Sequence, residues 1–577
     1  MRPDSPAGTV KGITIATWGG AGPSTAFAGA PQITAAASAV ETAANAATLP
    51  RAVLKSTIAL HNLARQPCNE SIVRSCGRRV FDTAVLASPT PRRLKPAVAS
   101  LGTMESVASA VRRLDELADS EPVASLARVF AHAGFELALV GGPVRDAFLG
   151  REVVDLDFTT SALPDEILEL VKPIADAHWD VGREFGTIAA RISGRSVEIT
   201  TYRAERYDTA SRKPQVRFGD SLEDDLGRRD FTVNAMALRL PQRVLADPWG
   251  GIDDLLARRL VTPASPEVSF GDDPLRMLRA ARFSAQLGFT VAEPTLVAMR
   301  ELAPRIEIIS AERIADELVK LMLTDDPVPG IRLLVDTGLA SLVLPEVPAL
   351  MLERDEHALH KDVYEHSLTV LTQAIELEGE RPEIDGPDIV LRLAALLHDI
   401  GKPATRKIEA GGIVTFHHHD VVGAKLAAKR LRALRFDNDT IASVSRLIEL
   451  HLRFFGYTEG AWTDSAIRRY VRDAGIELER LHILTRADVT TRNRRKADRL
   501  SFAYDDLEQR IAAIAEAEGL AAVRPELDGE EIMQILELRP GRDVGDAYRF
   551  LLDLRLDEGP IGQDAATERL RDWWAAR

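Results

Sequence analysis

The sequence predicts an α/β head, an all-helical middle and an all-helical tail. Three observations carry this. Between about residues 105 and 270, short apolar runs bounded by glycine alternate with helical segments. Beyond about residue 270, every longer segment repeats its apolar residues at helical spacing. No stretch approaches the ~18 uninterrupted apolar residues of a membrane span, so the chain reads as soluble and is expected in the cytoplasm.

The elements follow in order. The first hundred residues are rich in Ala, Ser, Thr and Pro, and the first fifty contain only two acids, Asp4 and Glu41. Acid-poor, Ser- and Arg-containing starts are typical of organelle-targeting segments. No amphipathic Arg-rich helix opens this chain, so residues 1–104 are read as a disordered or artefactual extension, with Met104 as the natural start. "VASAVRRLDELADSEPVASLARVFAHAG" reads as helix, and "FELALVGG" as a strand entering a glycine turn. "PVRDAFLG" opens a helix with Pro143 in its first turn. "VVDLDFTT" is the next strand, "PDEILELVKPIADA" a helix, and "TIAARISGRSVEITTYR" a hairpin turning at Ser193-Gly194-Arg195. "DPLRMLRAARFSAQLGF" and "VLRLAALLHDIG" typify the helical remainder.

Composition excludes several classes. The net charge is −14, which argues against general adhesion to nucleic acid but leaves room for a local basic groove. Cys68 and Cys76 are the only cysteines. Everything after them lacks thiolate ligands and thiol nucleophiles, and no disulfide framework exists, which suits a reducing compartment.

The chemistry concentrates first in "GGPVRDAFLGREVVDLDFTT", residues 141 to 160. Side chains two apart on a strand share a face, so Asp155 and Asp157 converge. Hard oxygen ligands at that spacing suit Mg²⁺, which keeps positions for substrate phosphates. Gly141 and Gly142 lead into a helix N-terminus whose free N–H groups attract phosphate, and Arg145 lies in its first turn. An Asp-x-Asp alone is equally a strand-end turn held by local hydrogen bonds.

The combination resembles the head of the class II tRNA nucleotidyltransferase and bacterial poly(A) polymerase family. Further motifs follow in the family's order: "RRDFTVNAMAL" (Arg228 to Leu238), "DPWGGIDDL" (Asp247 to Leu255), "DDPLRMLRAARF" (Asp272 to Phe283) and "ERIADEL" (Glu312 to Leu318). The resemblance spans roughly residues 125 to 500, with Asp272 standing where the family usually has Glu. It implies a polymerase β-like α/β nucleotidyltransferase head. Asp155 and Asp157 would hold two Mg²⁺ ions for two-metal nucleotidyl transfer, with Arg145, Arg228 and Arg229 on the phosphates and Asp230 and Asn234 ordering the site. Asp273 and Arg276 would read the base, with Arg279 and Arg282 continuing that face. A carboxylate accepts from the exocyclic amines of cytosine and adenine and repels the carbonyls of uracil and guanine. On spacing alone, the same residues also fit a solvated helical charge stripe.

Eight of the twelve histidines fall between His357 and His451. "HALHKDVYEHSL", "LLHDIGKP", "FHHHDVVGA", "LIELHLRF" and "TRADVTTRN" resemble an HD domain, a helical metal-dependent phosphohydrolase fold. By that resemblance His366, His398, Asp399, His419, His451 and Asp488 are the ligands. Imidazole and carboxylate without thiolate suit Mn²⁺, Fe, Ni²⁺ or Mg²⁺. His357, His360, His417 and His418 fit the motif less well.

The expected organisation is an extension over 1–104, a head over 105–262, a helical neck over 263–350, an HD domain over 351–500 and a helical tail over 501–577. The expected function is addition of CTP and ATP to the 3′ end of tRNA, with no DNA or membrane partner. Poly(A), CC-only or A-only addition is the alternative within the same chemistry. An HD phosphohydrolase with an RNA-binding head is the alternative outside it. "KRLRALR" (Lys429 to Arg435) and "RNRRK" (Arg492 to Lys496) are either phosphate-backbone contacts or solvated helix faces.

Overall fold

A computed structural model describes residues 107–577 apart from 181, 204–218, 220, 352–361, 385, 411, 413, 455, 458–459, 461, 491–493 and 519–523. The expected extension, both cysteines, His357, His360 and Arg492 therefore lie outside the described residues.

The head is built on a seven-stranded mixed sheet. Its strands are β1 (Leu137–Val140), β2 (Leu156–Thr160), β3 (Ala177–Trp179), β4 (Thr187–Ile192), β5 (Arg195–Thr201), β6 (Ala237–Leu240) and β7 (Val244–Ala246). They run in the order β3-β4-β5-β2-β1-β6-β7, with β2 and β5 parallel and the other neighbours antiparallel. Leu137 to Val140 are all buried, which places β1 deep in the sheet. The hairpin forms as expected. Ser193 (φ 51°) and Gly194 (φ 76°) both take the left-handed conformation that a tight two-residue turn demands.

Local chemistry moves three expected boundaries. The single helix expected after residue 105 is two, Val107–Asp119 and Val123–Ala133, because Pro122 cannot continue the first. The helix from Pro164 stops at Val171, two residues before Pro173. Strand β2 begins only at Leu156, so Val153, Val154 and Asp155 precede it.

Among the described residues beyond the head the chain is mostly helical, apart from two short strand pairs. Thr290–Val291 pairs in parallel with Arg259–Leu260, and Lys407–Ile408 pairs with Val414–Thr415. The first pair ties the neck back to Arg259–Leu260, which lies outside the seven-stranded sheet. The helix Leu275–Leu287 packs on Ala311–Met322 and Val328–Asp336. Next comes a bundle of Val363–Glu378, Ile389–Leu397, His419–Ala433, Asn438–Leu450 and Leu478–Ala487. One apolar core runs from Ala110 through to Leu507. Leu527, Ile532, Leu551, Leu554 and Leu570 form a separate small core within the last three helices. The expected boundary at 500/501 falls inside the helix Arg494–Glu518. Buried Arg468 fastens this helix to the tail, donating to Glu518 and to the Leu556 carbonyl. Among the described residues, no helix is long and apolar enough to cross a membrane.

Candidate active site and candidate metal centre

A cavity of about 720 Å³ opens between head and neck, within the range that takes a small-molecule ligand. Gly141, Gly142, Arg145, Asp155, Asp157, Arg228, Arg229, Asp230, Asn234, Asp273, Arg276, Arg279 and Arg282 all line it. Every head residue singled out from the sequence is thus brought to one place.

The carboxylate pair arrives there by an unexpected route. Asp155 sits in the bend before β2 and Asp157 within the strand, so their convergence depends on the bend rather than on strand alternation alone. Asp157 is pushed up to about 6 by its burial, opposed by Arg229 and reinforced by Glu198 and Asp155. Glu198 stands beside Asp157 across the parallel β2–β5 ladder. Three acids facing one another gain from a cation, and oxygen-only donors suit a hard one. Among the described residues the pair does not join a third donor within close ligand distance, unlike the histidine cluster below. An octahedral ion that keeps several waters and accepts substrate oxygens fits such a two-carboxylate site.

Gly141 shapes the phosphate side. Its φ of +72° is the left-handed region, and a Cβ there would come within 3.0 Å of Arg229 Nη1. It precedes the helix Gly142–Leu149, whose first turn holds Pro143. Arg145 is more committed than the sequence suggested. It donates twice to Asp146 (2.9 Å each) and once to Asn234 Oδ1 (2.7 Å), so it braces the wall as well as lining it.

Asp230 joins head to neck. Its Oδ1 accepts from the Phe231 N–H (2.8 Å) and from Asn234 Nδ2 (3.0 Å), and its Oδ2 accepts from Arg279 Nε (2.8 Å). Burial would raise this carboxyl, but Arg279 and Asn234 more than offset that and hold it well below the usual range. Asp273 is not on the helix, as its spacing to Arg276 had implied. It is extended (φ −137°, ψ 98°) just before Leu275–Leu287, and its Oδ1 accepts from the Leu275 N–H (3.1 Å). Its Oδ2 pairs with Arg313 Nη2 (3.0 Å). Arg276 is buried on that helix, donating to Ser269 Oγ (2.9 Å) and to the Arg228 carbonyl.

The sequence reading missed three residues. Glu198 was hidden because only the strand register sets it beside Asp157. Arg313 and Glu317 both lie within "ERIADEL", yet nothing local marks their partners. Glu317 is 3% exposed and accepts from Arg282 Nε (2.7 Å) while also reaching Arg279 Nη1 (3.5 Å). Removing one member of a buried ion pair strands the other, at about 3 kcal/mol. Glu317→Ala is therefore expected to lower folding stability by about that amount in urea unfolding. It should also slow transfer of every nucleotide, because Arg279 then loses one of its two anchors.

The second cluster lies in the helical bundle. His366 comes from Val363–Glu378, His398 and Asp399 from the end of Ile389–Leu397, and His419 from the start of His419–Ala433. His451 follows Asn438–Leu450, and Asp488 follows Leu478–Ala487. All six expected ligands converge. His366 Nε2 lies 2.9 Å from Asp488 Oδ1 and 3.6 Å from Asp399 Oδ2, and His419 Nε2 lies 3.3 Å from Asp399 Oδ1. Close helix approach makes this possible. A Cβ on Gly401 would stand 2.0 Å from the His419 carbonyl, so only glycine lets that turn reach Asp399. Burial opposes charge on His398, yet Asp399 and Asp488 lift it to about 9. His451, buried and beside His398, is depressed to about 4. His417 and His418 are exposed and point to no cluster among the described residues. In the basic run, Arg430 is spent on Glu346 (2.8 Å), while Lys429, Arg432 and Arg435 are exposed.

Residues 137–261 match the family described as the poly A polymerase head domain, and 288–351 the probable RNA and SrmB-binding site of polymerase A. Residues 363–493 match the HD domain. An A-adding tRNA nucleotidyltransferase of Deinococcus radiodurans is 35% identical over 453 residues, 76% of this chain and 95% of that protein. A CCA-adding enzyme of Levilactobacillus brevis is 43% identical over 208 residues, 36% of this chain. The match spans about half (51%) of that relative's length. The crystal structure of the Bacillus stearothermophilus CCA-adding enzyme in complex with CTP aligns with a TM-score of 0.55 at 24% identity. That alignment covers 78% of this chain and 97% of the other, and shows a shared fold.

Proposed function

The chain belongs to the tRNA nucleotidyltransferase and poly(A) polymerase family, and from that premise we propose that it adds CTP and ATP to the 3′ end of tRNA, building or repairing the CCA terminus without a nucleic-acid template. The supporting observation is the shared cavity, where Asp155 and Asp157 face the same space as Arg228, Arg229, Asp273 and Arg276. In this reading Asp155 and Asp157 hold Mg²⁺, which when bound activates the RNA 3′-hydroxyl and stabilises the triphosphate and the leaving pyrophosphate. Arg228 and Arg229 hold the phosphates. Asp230 and Asn234 keep the wall in register, and Arg145 braces it through Asp146. Asp273 and Arg276 read the base edge. The reaction is cytoplasmic, and exposed Lys429, Arg432 and Arg435 contact the RNA backbone.

The test incubates the protein with tRNA lacking its 3′ end and each NTP, singly and together, followed by sequencing of the ends. CCA ends are expected. The relative from Deinococcus radiodurans, matched over nearly its whole length, favours an A-only second reading, which incorporation of ATP alone onto CC-ended tRNA would establish.

We further propose that the HD residues bind a divalent ion, Mn²⁺, Ni²⁺, Fe or Mg²⁺, and act on a phosphoester apart from nucleotide addition. His398→Ala with Asp399→Ala is expected to remove phosphatase or cyclic phosphodiesterase activity while leaving CCA addition within about twofold, because the two centres use separate segments and ligands. Loss of both activities in a folded double variant overturns their independence.

A further inference from the structure

The geometry points to Phe283 as a positioning residue. Its ring holds the guanidinium groups of Arg145, Arg279 and Arg282 in the arrangement that receives the nucleotide, and this rests on the nucleotide-binding reading of the cavity. The ring is 4% exposed and lines the cavity from the helix Leu275–Leu287. Arg282 Cζ stands 4.2 Å from its centroid, and Arg279 Cζ and Arg145 Cζ each stand 5.4 Å from it. A cation within about 6 Å of a ring centroid is drawn to the negative face of the ring. Arg279 and Arg282 share the helix of Phe283, whereas Arg145 comes from Gly142–Leu149 in the head. One neck ring therefore meets cations from both segments. Phe231, also from the head, packs against it at 88° with the centroids 5.9 Å apart.

The carboxylates do not by themselves fix this arrangement. Arg145 is held by Asp146 and Asn234, and Arg279 by Asp230 and Glu317. Arg282 is held by Glu317 (2.7 Å) and Gln286 (3.0 Å). Such hydrogen bonds lie in the guanidinium plane, so the flat faces remain to stack on an aromatic ring. Three like charges gathered at one wall also repel one another. Burial presses Arg282 below its ordinary value; Glu317 opposes this and Arg279 adds to it. An aromatic ring stabilises cations through its quadrupole while adding no net negative charge to the wall. The arginines can then stay crowded and keep their field for an anionic ligand. Side chains already set in place spare the nucleotide the cost of ordering them on binding.

The experiment uses full-length proteins carrying mono-, di- or trifluorophenylalanine at position 283, which keeps the ring shape while withdrawing charge from its face. Binding of CTP and of ATP is measured at equilibrium with Mg²⁺ and without RNA, followed by steady-state transfer to tRNA lacking its 3′ end. Affinity is expected to fall step by step with fluorine number, by about tenfold at the trifluoro protein. KM should rise in parallel while kcat stays within about twofold. Phe283→Leu, which removes the ring, should bind at least as weakly as the trifluoro protein, with urea unfolding measured on every variant. Equal affinity across the fluorinated series, whether or not stability changes, overturns the proposal and leaves Phe283 a packing residue. A fall that does not track fluorine number overturns it as well. An unaltered protein that binds neither CTP nor ATP overturns the nucleotide reading itself, and the proposal with it.

Discussion

Asp155→Asn combined with Asp157→Asn is expected to abolish incorporation of both CTP and ATP while leaving tRNA binding nearly unchanged. Both additions would use this one carboxylate pair, so neither nucleotide should escape. Metal stabilisation of developing charge is worth several kcal/mol, and each ~1.4 kcal/mol is tenfold in rate, so a fall of ~10³-fold or more is expected. Neutralising the pair also relieves the repulsion that Asp155 and Glu198 exert on Asp157, so the folded state should be no less stable. Single-turnover incorporation, with tRNA binding measured in parallel, decides it. If either nucleotide still adds at near the unaltered rate, the two carboxylates have another task.

The second large effect concerns base choice. Asp273→Ala is expected to slow CTP and ATP and also to relax discrimination against UTP and GTP. A site built to hydrogen-bond its substrate can reject a mismatched analogue by ~10⁴-fold, because its own polar groups are otherwise left unpaired. Removing the carboxylate removes both attraction to the amine and repulsion of the carbonyl, each ~1–3 kcal/mol. Asp273 also caps the following helix through Leu275 and pairs with Arg313, so a moderate loss of stability accompanies the change. Measuring single-turnover rates for all four nucleotides separates the two effects. A uniform fall with the preference order kept would mean that the bases are read elsewhere, whereas the Asp155 and Asp157 variants should lose rate equally for every base.

Much of the site was legible before any fold was known, because its chemistry is carried by residues close in sequence. Gly141 must be glycine for a left-handed turn, and helix-period spacing puts Arg276, Arg279 and Arg282 on one helix. A His398-Asp399 doublet ending an apolar helix is hard to explain as core. Short-range geometry settles such features, and a sequence records short-range geometry directly.

Tertiary structure decided the pairings between distant segments. It set Glu198 beside Asp157 through the parallel β2–β5 register, which a one-residue slip would have reversed. It put Asp155 in a bend, Asp273 ahead of its helix and Arg313 on Asp273, and it spent Arg145 on Asp146 and Asn234. It also gathered six expected ligands from separate helices into one cluster, an arrangement that needs the close contact allowed by Gly401. Motif spacing determines which side chains are available. How a carboxylate shares its two oxygens depends on helices and strands far apart in the chain, and only their packing brings those partners within hydrogen-bond reach.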